Sequence, residues 1–121
     1  MRAATVALLL LLCLPAISRA EDWTWQDTAR QAALTGVLAF DWAQTRYATR
    51  HRDRYSEFNP VLGAEPSMGL VDGYFAGMII GTAIVNYLLP PDWRHGVQYS
   101  LIGVELVVTA HNASVGVKME F

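Results

Sequence analysis

The feature that most constrains this chain is a run of 17 residues, Gly73 to Leu89, that carries no formal charge and stops at Pro90-Pro91. Wound as a helix at about 1.5 Å per residue, it measures roughly 26 Å, close to the ~30 Å hydrocarbon core of a bilayer. A core helix of a soluble bundle keeps one polar face. This run has almost none, because only Tyr74, Thr82, Asn86 and Tyr87 carry polar side-chain atoms. The reading is a membrane-embedded helix.

Two more segments have membrane length. Thr28 to Thr49 is rich in alanine and leucine, lacks proline, and contains Gly36 and Asp41. Asp27 is placed to cap it through a side-chain oxygen. Val97 to Val117 is 21 residues long with one acid, Glu105, and follows a tight link from Pro90 to Gly96. The expected fold is all-α: a small helical membrane bundle of about three spanning or embedded helices, near 28–49, 70–89 and 97–117. Composition agrees. Apolar residues make up 53% and charged residues 17%, against about 25% charged in soluble domains. A net charge of -2 gives no argument for nucleic acid.

The first 20 residues read as a signal peptide. Arg2 supplies a positive start, and Val6 to Ile17 form an apolar run of 12 residues, too short to span. Ser18-Arg19-Ala20 sets small residues at the positions a signal peptidase requires, so cleavage is expected before Glu21. The single cysteine, Cys13, lies in this leader behind Leu12, where a lipoprotein signal would need a small residue. The mature domain, 21–121, then has no thiol and no disulfide.

Orientation follows from two independent arguments. Export places the mature N-terminus outside, so three spans put the 46–68 loop and the C-terminus in the cytoplasm. The loop carries Arg46, Arg50, Arg52 and Arg54, whereas the 90–96 link carries only Arg94. Positive loops stay inside. The expected location is the inner (cytoplasmic) membrane, with a periplasmic N-terminus and a cytoplasmic C-terminus. Trp23, Trp25, Tyr87, Trp93 and Tyr99 would form an outer aromatic belt, and Trp42, Tyr47, Tyr74 and Phe75 would lie toward the inner one.

Four patterns carry any chemistry. The first is a glycine ladder, Gly69, Gly73, Gly77 and Gly81, spaced by four. On a helix the last three form a smooth stripe that lets another backbone approach, either inside the chain or from a partner. The second is one face of the third helix, Gln98, Glu105, Thr109 and Asn112, at steps of seven, four and three. A charged side chain at mid-span costs about 2.5–3.5 kcal/mol on insertion scales, so Glu105 must face protein or water. The third is Asp41 with Thr45, one turn apart. By depth, Asp41, Thr109 and Asn112 can meet between helices as a buried polar network, while Asn86 belongs to a separate contact. The fourth is the loop motif Glu57, Asn59, Pro60 and Gly63, whose Asn-Pro starts a turn.

No catalytic constellation is present: no G-x-S-x-G, no H-E-x-x-H and no phosphate loop. His51, His95 and His111 are scattered, and no metal or cofactor is called for.

The run Asp41-Trp42-Ala43-Gln44-Thr45, then Glu57-x-Asn59-Pro60-x-Leu62-Gly63, then an apolar glycine-containing helix, resembles uncharacterised small bacterial membrane proteins. The resemblance covers roughly residues 35 to 117. It implies a helical membrane fold and no particular activity.

Two functions compete. One is a structural or interaction component that assembles through the glycine ladder, with itself or with a membrane protein partner. The other is a proton- or ion-conducting subunit that uses Asp41 and Glu105. A third placement, in the outer membrane, rests on the alternation Ala113, Val115, Val117, Met119, Phe121, which echoes a final barrel strand.

Overall fold

The structure is a computed structural model that describes residues 22–55, 61–63 and 65–121. The signal-peptide reading, and Glu57, Asn59 and Pro60 of the loop motif, lie outside the described residues. Three helices follow in chain order: α1 (Trp25–Arg50), α2 (Met68–Leu88) and α3 (Pro91–Ser114). The class is all-α, as the hydropathy pattern implies. Among the described residues one helix, Met68–Leu88, is long and apolar enough to cross a membrane; α1 and α3, expected to have membrane length too, do not meet that measure.

Local chemistry sets each boundary. Thr24, rather than Asp27, is the N-cap of α1. The Thr24 hydroxyl accepts from the Asp27 N–H at 3.3 Å, and the Asp27 carboxylate accepts from the Thr24 N–H at 2.9 Å. This reciprocal box satisfies two backbone donors that the first turn would leave bare. Ser67 caps α2 by accepting from the Leu70 N–H at 3.1 Å. The span 90–96 is not a link. Leu89 and Pro90 alone make the turn, and Pro91 occupies the first position of α3. Proline is at home there, because its missing N–H has no partner to lose. At the far end Gly116 takes φ +90°, which closes α3 by donating its N–H to Ala113 at 3.1 Å.

No strand forms among the described residues, so the 113–121 alternation does not mark one. The tail instead lies back on α1: the Glu120 N–H donates to the Ala43 carbonyl at 3.0 Å. Glu120 also pairs with Arg50 at 2.7 Å, and Phe121 meets Trp42 edge-on at 5.7 Å.

α1 lies between the other two helices and packs on both, while α2 and α3 scarcely touch. The head end of the bundle holds the start of α1, the end of α2 and the start of α3. The tail end holds the remaining termini.

What α1 buries is unusual. Among the described residues, seven apolar side chains are buried against nine polar or charged ones: Asp27, Gln31, Asp41, Gln44, Thr45, Asn86, Arg94, Gln98 and Thr109. The exposed surface carries Ile80, Ile84, Val85, Val104, Leu106 and Val107. Water drives the opposite arrangement. One small apolar cluster, Leu62, Val71 and Phe75 with Trp42 and Tyr74 against it, packs at the tail end.

Candidate functional site

The buried polar groups fall into two sets, each built around α1. At the head end, α1 presents Asp27, Arg30 and Gln31. Arg94, from the first turn of α3, is fully buried and bonds in four directions. Its guanidinium donates to Asp27 Oδ2 at 3.0 Å, to the Asn86 carbonyl at 2.8 Å, to the Leu89 carbonyl at 2.8 Å and to the Tyr87 carbonyl at 3.5 Å. Those carbonyls are the ones that the end of α2 leaves without helical partners. The Trp23 ring stacks on the same guanidinium, 4.9 Å from its centroid.

Asp27 also receives Arg30 at 2.5 Å and lies 3.4 Å from His95. Asp27 sits in the first turn of α1. Burial pushes its carboxyl up, but hydrogen bonds from Thr24 and Arg30 and the charge of Arg94 outweigh burial and bring it down to about 2. Gln98 ties α3 into the same set. It donates to the Asp27 carbonyl at 3.1 Å and accepts from Arg30 at 2.8 Å. Gln31 reaches α2, accepting from Asn86 at 2.8 Å and donating to Thr82 at 3.3 Å.

The tail-end set holds Asp41, Thr45, Glu105, Thr109 and Asn112. Thr45 donates to Asp41 at 3.4 Å, and Asn112 donates to Asp41 at 3.4 Å. The Glu105 side chain meets Asp41 across the α1–α3 interface. Glu105 Oε2 is buried and takes no hydrogen bond. Gln44, absent from the sequence expectation, is the connector: it accepts from Asn112 at 3.2 Å and donates to the Thr109 carbonyl at 3.1 Å. The Thr109 hydroxyl itself turns back to the Glu105 carbonyl at 2.9 Å. Thr109 therefore joins the network through its backbone. Beside this set, Asp72 on α2 accepts from Trp42 at 2.8 Å and from Arg46 at 2.5 Å.

The glycine ladder faces outward. A Cβ added at Gly69, Gly73, Gly77 or Gly81 would meet no atom within 4 Å. The ladder does not serve packing inside this chain. α1 holds α2 through other residues, Asp72, Thr82 and Asn86 among them. Of the loop motif, Gly63 is described and takes φ +78°, a conformation that favours glycine.

Sequence reasoning missed Arg94 and the role of Asp27. A lone arginine beside Pro-Pro reads as a loop charge. The spacing Thr24-x-x-Asp27 was the available signal, since it is a capping-box pattern. Among the described residues no three His, Asp or Glu side chains gather in a way that could hold a metal ion. No family model, curated protein or solved structure matches the chain.

Proposed function

We propose that this chain is an integral membrane protein of the inner membrane, and that it works as a structural or interaction component assembling through the glycine face of α2. The observation that carries the reading is the inverted distribution of polarity. Polar groups gather inside, large apolar side chains crowd the outside, and no atom covers Gly73, Gly77 or Gly81. In lipid, helices associate where small residues let backbones meet, because apolar side chains gain nothing by leaving the acyl chains. The partner is a second copy or another membrane helix, with the bilayer around both.

The orientation has the mature N-terminus in the periplasm and the C-terminus in the cytoplasm. Trp25, Trp93, Tyr87 and Tyr99 are exposed at the head end, which suits an interfacial belt. The exposed charges Arg50, Arg54 and Lys118 lie at the tail end, which suits the cytoplasmic side. Arg94 is buried against Asp27 and does not weigh against this placement. The resemblance to small uncharacterised bacterial membrane proteins points the same way.

Cross-linking in membranes tests assembly. Gly77→Leu should abolish the cross-linked species, while Asp41→Asn leaves it in place. Unchanged assembly and accumulation of Gly77→Leu would refute the proposal.

A second reading, a proton- or ion-conducting subunit, is favoured by the meeting of Asp41 and Glu105 within the bundle. It predicts flux in proteoliposomes that Asp41→Asn and Glu105→Gln each abolish. Vesicles holding wild-type protein that pass no more than empty ones would exclude it.

A further inference from the structure

The buried stripe of α1 changes character along its length. Asp27 and Gln31 lie at the head end, and Asp41 and Thr45 at the tail end. Between them are Leu34 and Leu38, 0% and 1% exposed. The steps 27, 31, 34, 38, 41, 45 alternate four and three, so all six share one side of the helix.

Along the neighbouring helices, apolar side chains also stand between polar ones. On α2, buried Phe75 and half-buried Ile79 stand between Asp72 and Thr82. On α3, half-buried Leu101 and Ile102 stand between Gln98 and Glu105. The side-chain hydrogen bonds described above form two sets with no member in common.

Gln31 and Asp41 are ten residues apart, about 15 Å along the axis. A proton moves between hydrogen-bonded groups about 3 Å apart. Water could bridge the gap only with polar partners to hold it, and an apolar stretch of this kind stays dry.

The geometry points to an apolar seal: Leu34 and Leu38 separate two polar compartments, so that a single chain does not pass protons or ions across the bilayer. The inference rests on the membrane-embedded reading. It narrows the second function, because a conducting form must displace these leucines.

The test uses the full chain in proteoliposomes with a pH-sensitive dye inside, after alkaline carbonate has shown the protein embedded. Carbonate-extractable protein defeats the membrane reading itself, and with it the seal. For embedded protein, wild-type vesicles should acidify at the rate of empty ones, and Leu34→Ser/Leu38→Ser should acidify several-fold faster. Wild-type flux above empty vesicles overturns the seal, as does a folded double variant that stays tight.

If the double variant does not fold, single cysteines at the two positions decide. They are introduced as Leu34→Cys and Leu38→Cys in a Cys13→Ala background, which leaves no other thiol. A small water-soluble thiol reagent should leave both unlabelled while labelling an exposed Arg54→Cys control at the tail end of detergent-solubilised protein. Labelling of either leucine position at the control's rate overturns the seal.

Discussion

At the residue scale, Arg94 and Asp27 carry the largest predicted effects. Both are buried, and each satisfies groups that the other cannot. Breaking such a pair leaves an uncompensated charge, which costs about 3–5 kcal/mol. Arg94→Ala should therefore lower the unfolding free energy in detergent by that amount. Arg94→Lys should recover little, because an ammonium lacks the planar fork that reaches Asp27 and the α2 carbonyls together. A near-normal Arg94→Ala would show that the clasp is dispensable.

Asp27 adds a pH dependence whose sign follows from its depressed carboxyl. The group moves from 3.8 when unfolded to about 2 when folded. Its contribution is present above the unfolded value and is lost as pH falls through the folded one. Wild type should exceed Asp27→Asn in stability by a constant margin at neutral pH, and the margin should shrink as the pH drops from about 4 toward about 2. A margin that stays level across that range would contradict the assignment.

At the element scale, much of the candidate site was legible and part was not. Asp41, Thr45 and Asn112 were readable because helical periodicity alone places them at matching depth. The structure brings all three together. Thr109 was readable as a position and not as a bond, since a helical threonine hydroxyl finds the carbonyl one turn back more easily than a neighbouring helix. Gln44 was overlooked because a lone glutamine carries no pattern. The head-end hub was hidden for a different reason: its partners are 67 positions apart in sequence, and no periodicity links them.

The start of α3 was misplaced because Pro90-Pro91 reads as a break. One proline ends α2 and the other begins α3. The close of α3 supplies a prediction. Gly116 takes φ +90°, and a Cβ there would come within 3.3 Å of the Tyr55 hydroxyl, which itself donates to the Gly116 carbonyl at 3.0 Å. Gly116→Ala should destabilise the fold by about 1–3 kcal/mol. Thermal unfolding in detergent reads this, and an unchanged midpoint would count against the observed turn.

At the scale of the whole molecule, the organising fact is polarity turned inside out. In water, an interior of arginine, aspartate, glutamine and asparagine under an isoleucine and valine surface would expose what it should hide. In lipid the same arrangement is the stable one, because backbone and side-chain polar groups must find partners within the protein. The three helices also divide the work. α1 supplies the polar stripe, α2 and α3 supply the partners, and the glycine face of α2 is left uncovered. The hydropathy of residues 73–89 made one membrane-length helix legible from the start. The polarity of α1 could be assigned to the inside only after its partners on α2 and α3 were in place.

The most direct test is to separate the membranes of cells expressing the full chain and wash them with alkaline carbonate. The account predicts that the protein stays in the washed inner-membrane pellet. Release into the supernatant would contradict it, because a chain with this surface would then have to be covered by protein rather than by lipid.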